Sequence, residues 1–170
     1  MAERRYLVAA TDRGGAATVG TPAAPDGLAF RAVLPGDDEA LAVLMLDAYT
    51  GTIDFEPDDD IGTAHAAIAD WRAGSGGPAM PGESLVAVAP DGRMAGACVL
   101  MRWRGLPLVS YQMTAAQAKG RGLATALLAS AMDGLCAAGG PAIALFVTRG
   151  NDPAERVYAR LGFHDAVDPG

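Results

Sequence analysis

The sequence predicts an α+β domain built on a mixed sheet, and three observations carry that prediction. A chain of 170 residues, 51% hydrophobic and 19% charged, is long enough for one sizeable core and too short for two. Residues 84–89 and 94–103 are strand-like runs joined by Pro90-Asp91-Gly92-Arg93, a strong hairpin signal. Residues 106–114, 122–138 and 142–148 then read strand, helix, strand, which requires neighbouring parallel strands with a right-handed crossover. The sheet should therefore be antiparallel at one side, with a central parallel pair and about four flanking helices.

The other elements follow in chain order. Residues 1–27 form an extension that reads in two ways. One is a β-hairpin with arms 5–11 and 16–21 around Asp12-Arg13-Gly14-Gly15; the other is a tail closed off by Pro22 and Pro25. The domain proper spans 28–170 and opens with a strand over 28–33. Asp37 is a candidate N-cap for a first helix whose buried stripe is Leu41, Leu44, Met45 and Ala48. A loop rich in Asp54, Glu56, Asp58, Asp59 and Asp60 leads to a second helix with Ile61, Ala64, Ile68 and Trp71 on one face. Leu123, Leu127, Ala131 and Leu135 are the core stripe of the third helix, and Gly139-Gly140-Pro141 stops it. Residues 142–148 are apolar and β-branched, as in a strand buried on both faces. Pro153 sits in the first turn of a last helix that ends before Gly162.

Composition narrows the function classes. A net charge of −7 disfavours nucleic acid and anionic membranes as partners, because the phosphate field repels the chain as a whole. Cys98 and Cys136 form no disulfide framework, and with His65 and His164 they show no metal-ligand spacing, so no metal is expected. The apolar run after Arg5 is too short for a signal-peptide core, and no stretch is long and apolar enough to span a bilayer. The expectation is a cytoplasmic protein.

Between the 106–114 strand and the third helix lies Lys119-Gly120-Arg121-Gly122-Leu123-Ala124. Glycines let a backbone approach a ligand closely, and a helix N-terminus offers unpaired N–H groups and partial positive charge. Chemically this is a phosphate or pyrophosphate cradle. It is neither a P-loop, lacking Gly-Lys-Ser/Thr, nor a dinucleotide fingerprint. Lys119-x-x-Gly122-x-Ala124 resembles the pyrophosphate-binding motif Gln/Arg-x-x-Gly-x-Gly/Ala of the GCN5-related N-acetyltransferase (GNAT) family. Gln117-x-x-Gly120-x-Gly122 is a second register; the first is preferred because Thr125-Ala126-Leu127-Leu128 then matches the family's small-small-Leu-Leu helix. The run Asn151-x-x-Ala154-x-x-x-Tyr158-x-x-x-Gly162-Phe163 is similar to the family's closing signature. The resemblance covers about residues 28–163.

The resemblance implies acetyl-CoA as co-substrate and a primary amine of a small molecule or peptide as acceptor. Backbone groups of Gln112, Met113 and Thr114 would hold the pantetheine arm and polarise the thioester. Amides of Gly120, Arg121, Gly122, Leu123, Ala124 and Thr125 would bind the pyrophosphate, with charge from Lys119. Asn151 would contact pantetheine or order its water, and Tyr158 would protonate the departing thiolate. The sequence departs from the family where a strand Glu is usual, since Phe146 stands there. Glu83 is the substitute candidate for the base, with Asp54 and Glu56 as further candidates. Asp54 and Glu56 are also candidates for an acceptor-selecting acidic rim, and Tyr111 for cleft lining. The alternative function is an acyl-CoA-binding module that senses the cofactor without turnover. The short C-terminal tail after Phe163 predicts that the N-terminal segment pairs with a sheet edge, in the monomer or across a homodimer.

Overall fold

The computed structural model describes residues 3–12, 23–25 and 27–170, and these form one mixed sheet with two helices packed on each face. The strands are β1 (Arg4–Ala10), β2 (Ala29–Ala32), β3 (Leu85–Val88), β4 (Met94–Trp103), β5 (Leu106–Thr114), β6 (Ala142–Thr148) and β7 (His164–Asp165). The helices are α1 (Asp38–Tyr49), α2 (Ile61–Ala73), α3 (Leu123–Ala137) and α4 (Asp152–Arg160). Across the sheet the order is β2-β3-β4-β5-β6-β1-β7, antiparallel throughout except for β5 and β6, which run parallel.

Strand alternation supplies both layers of core. Ala87, Cys98, Leu100 and Val109 point to α3 and α4, where Leu123, Leu127, Ala131 and Leu135 meet them. Val86, Ala97, Val99 and Met113 point the other way, to Leu41, Leu44, Met45, Ala48, Ala64, Ile68 and Trp71. Trp71 is held in depth by its indole N–H, which donates to the Leu100 carbonyl at 2.8 Å. Ile61, which the spacing places on that stripe, is the first residue of α2 and is 41% exposed, so the buried stripe starts one turn later at Ala64. Asp37 precedes α1 without capping it by a side-chain bond. Its carboxylate instead takes the Arg31 guanidinium at 2.7 and 3.0 Å and the Leu34 amide at 2.7 Å, a stronger, charge-assisted set of partners.

The first N-terminal run enters the sheet as β1, paired along its length with β6 from Arg4↔Thr148 to Ala10↔Ala142. It lies between β6 and the two-residue β7, so β7 is the edge strand and β1 is internal. Tyr6, Leu7 and Ala9 are buried, and Arg5 pairs with Asp165 of β7 and Glu155 of α4. The second run, 16–21, lies outside the described residues.

Candidate active site

The site begins with a break in the parallel pair. β5 and β6 pair only at Leu108↔Ala144 and Val109↔Leu145, and then part. The cause is visible on the other side of β5, where Val99 pairs with Tyr111 and Leu100 with Val109, leaving Ser110 as a bulge. A bulge adds local twist and bends the strand that carries it. Beyond it the β6-facing backbone of β5 has no strand partner. The Gln112 carbonyl there accepts from the Tyr49 hydroxyl at 3.4 Å. Among the described residues, Ser110 Oγ and both polar atoms of the Gln112 carboxamide are buried without a partner, a costly state unless a ligand or water completes it.

Into this opening runs a cleft of about 1220 Å³. That is larger than a drug-sized pocket and suits an elongated ligand. One end is the N-terminus of α3. Gly120 and Gly122 have φ of +76° and +77°, a left-handed region that glycine enters without strain. Gly122 is the N-cap and has no side chain to satisfy the first-turn amides of Leu123, Ala124 and Thr125. Lys119, Gly120, Gly122 and those three residues line the cleft. The Lys119 ammonium donates to the Ala48 carbonyl at 2.7 Å, so it joins the loop to α1 and is not wholly free for a phosphate. Arg121 is exposed beside the cleft and outside its lining. Gln117, from the second register, lies exposed in the short 3-10 turn before the loop.

The middle of the cleft gathers Tyr158, Asp54, Asn151, Tyr111, Gln112 and Thr114. Tyr158 lies on the buried face of α4, its ring 5.7 Å from Phe163. Burial pushes its phenol far above the ordinary tyrosine range, with Cys98 and Asp54 adding to the effect. Burial likewise raises Tyr49, helped by Tyr158 and Asp54, and pushes the Cys98 thiol up to about 12. Asp54 accepts from the Thr148 hydroxyl at 2.5 Å and from the Asn151 amide at 2.9 Å. Asn151 also caps α4, its Oδ1 accepting from the Ala154 amide at 3.3 Å.

Other sequence candidates fall outside. Met113 is wholly buried on the α1/α2 side, so any role it has is through its backbone. Glu83 is exposed in the turn before β3, and the cleft does not reach it. Glu56 is also exposed outside the lining; within its loop its amide donates to Asp59 at 2.8 Å. Asp60 caps α2 through the Thr63 amide. Among the described residues no group of His, Cys, Asp and Glu is arranged to hold a metal. Tyr49, Thr148 and the Ser110 bulge are site features that the sequence did not announce. Tyr49 ends a helix whose stripe reads as core, and a bulge has no residue signature here.

Residues 91–168 match the FR47-like protein family. No curated protein matches the chain. Among solved structures, a GCN5-related N-acetyltransferase from Sphaerobacter thermophilus is 22% identical with a TM-score of 0.73, over 96% of this chain and 48% of that one. A tandem GNAT protein from the clavulanic acid biosynthesis pathway is 21% identical at a TM-score of 0.69, over 97% and 50%. A GCN5-related N-acetyltransferase from Kribbella flavida is 20% identical at 0.60, over 99% and 59%. The likeness is one of fold, and the chain spans about half the length of the first two.

Proposed function

We propose that this chain, which shares the fold of GCN5-related N-acetyltransferases and matches the FR47-like family over residues 91–168, transfers an acetyl group from acetyl-CoA to an amine of a small molecule or peptide. The observation that carries this reading is the continuity of the cleft. It joins an uncapped helix N-terminus, suited to pyrophosphate, to a strand opening beside a buried phenol and a tethered carboxylate. The donor fits by the same observations: anionic phosphates meet backbone N–H groups, and the orphaned Ser110 and Gln112 atoms offer partners to an amide-bearing arm.

The thioester supplies an activated acyl group; the protein residues manage position and protons. Each Asp54 oxygen accepts one hydrogen bond from the protein and keeps a lone pair for the acceptor's ammonium. An alkyl ammonium has a pKa of roughly 10, so the attacking nitrogen must first lose a proton, directly to Asp54 or through water. Unpaired amides of β5 beyond Val109 stabilise the oxygen as charge develops on it. Tyr158, kept neutral by burial, donates to the leaving sulfur. Phe146 in place of a strand carboxylate favours the second reading, a binding module without turnover. Thiol release from acetyl-CoA over a panel of amines tests the proposal. Calorimetric binding of acetyl-CoA with no release for any amine would establish the second reading instead.

A further inference from the structure

The acceptor's chemical class can be read from the side of the cleft away from α3 and α4. Strand alternation puts Arg4 on the face of Tyr6, opposite to Arg5. On that face Tyr6, Trp103 and Phe146 form an aromatic wall, with ring centroids 5.2 to 5.7 Å apart. Trp103 and Phe146 line the cleft together with Arg4, Tyr111 and Asp70 of α2. Arg4 is the register partner of Thr148, whose hydroxyl holds Asp54. The guanidinium therefore stems from the strand position beside the carboxylate assigned to the amine.

Both charges are unspent. Arg5, Arg31, Arg72, Arg93 and Arg149 each pair with an acidic side chain, whereas the side chains of Arg4 and Asp70, like those of Arg156 and Arg160 on the α4 side of the cleft, have no ion pair or hydrogen bond among the described residues. They still share an environment. Burial raises the Tyr111 phenol, Asp70 adds to the rise, and Arg4 opposes it. An isolated cation and an isolated anion flanking one tyrosine, over an aromatic wall, match a ligand carrying the complementary pair.

We propose, resting on the acetyltransferase reading above, that the acceptor is an α-amino acid: Arg4 takes its carboxylate, Asp54 its amine, the aromatic wall its side-chain stem, and Asp70 a cationic side-chain end. In the reaction the ammonium first loses a proton to Asp54 or water, the neutral α-nitrogen bonds to the acyl carbon, the carbon–sulfur bond breaks as Tyr158 protonates the sulfur, and the nitrogen's second proton leaves to water, from which Tyr158 is reprotonated. A guanidinium binds a carboxylate in a two-bond fork that a lysine cannot reproduce.

The test is titration of matched pairs onto the full chain with and without saturating coenzyme A: arginine against agmatine, lysine against cadaverine, phenylalanine against phenethylamine. The carboxylate-bearing member should bind about tenfold or more tightly. Arg4→Gln should reduce that ratio to within about twofold, and Arg4→Lys should keep part of it. Asp70→Asn should erase a preference for arginine and lysine over phenylalanine. Equal affinity within the pairs, or discrimination intact in Arg4→Gln, would overturn the inference. Because the readout is binding, it separates this result from failure of the transferase reading, which absent thiol release reports. Both positions are exposed, so thermal midpoints near wild type verify the fold of the variants.

Discussion

The Asn151 carboxamide caps α4 with its oxygen and holds the Asp54 carboxylate with its nitrogen, at 2.9 Å. One residue thus fixes the start of the helix that bears Tyr158 and fastens the loop after α1 across the mouth of the strand opening. With Thr148 holding the other oxygen, Asp54 is oriented before any substrate arrives.

Asp54→Asn should therefore act on the acceptor more than on the donor. A raised KM for the amine of about tenfold, with a lowered kcat and little change in acetyl-CoA affinity, is expected from loss of a tethered counter-ion. Glu56→Gln and Asp58→Asn, on exposed positions outside the cleft, should leave both constants within about twofold. Steady-state kinetics of the three variants decide it, and equal effects at all three positions would make the loop a diffuse acidic surface.

Tyr158→Phe should lower kcat by about 10²-fold or less and leave acetyl-CoA affinity near wild type. The phenol's raised pKa means that it stays protonated through pH values where an ordinary tyrosine ionises. Loss of kcat on the alkaline side, up to about pH 10, should therefore not come from this group. A kcat unchanged by the substitution while chemistry limits the rate would remove Tyr158 as proton donor.

Gly122→Val tests the cradle. Apart from its chain neighbours, no described residue comes within 4 Å of the position a Cβ would take, so the fold has room for a side chain. At φ +77° a β-branched residue is strained by about 1–2 kcal/mol, and relief of that strain turns the first-turn amides of α3 away. Acetyl-CoA affinity should fall about tenfold or more, with only a modest drop in thermal midpoint. A folded variant with wild-type affinity, measured by calorimetry, would show that the phosphates sit elsewhere.

Much of this architecture was legible because its signals are local. The 3.6-residue stripe of Leu123, Leu127, Ala131 and Leu135, the Pro90-Asp91-Gly92-Arg93 turn and the run 142–148 each carry their own period or punctuation, and each element formed there. The site was less legible because it depends on what two distant segments do together. Asp54 was one carboxylate among five in its loop; only its contacts with Thr148 and Asn151 set it apart. Glu83 looked well placed at a strand start, but β3 lies two strands from β5, and the cleft opens on the far side. Arg4 gave no sequence signal, since its place in the cleft follows from the register of β1 on β6.

Asp37 should govern acid stability. The hydrogen-bonded Arg31 guanidinium holds its carboxyl below the usual carboxylate range, against an opposing effect of burial. A depressed pKa contributes stability above the unfolded value of about 3.9, which is lost as pH falls through the folded one. Asp37→Asn should therefore melt below wild type at pH 7, and the gap should close as pH falls below about 4. Thermal midpoints measured from pH 7 to pH 3 check this, and a gap constant across that range would assign the loss to packing alone.

The N-terminal strand stabilises the sheet on the far side of β6. β1 fills the position between β6 and β7, and its inward residues Leu7 and Ala9 join the core on the α3 side while Tyr6 packs on Trp103 and Phe146. Burial of Tyr6 and Leu7 contributes roughly 1.5–3 kcal/mol for each side chain. Deleting residues 1–12 removes that burial, strips β7 of its partner, and leaves the whole of β6 as an open edge ready to pair with another chain. The truncated protein should melt well below the full chain or associate, and size-exclusion chromatography should report the association. A quieter variant isolates packing from edge exposure: Leu7→Ala keeps the backbone ladder, and should lower stability by about 2–5 kcal/mol without changing the oligomeric state. A deletion that melts like the full chain and keeps its oligomeric state would mean that β1 contributes nothing to the sheet it completes.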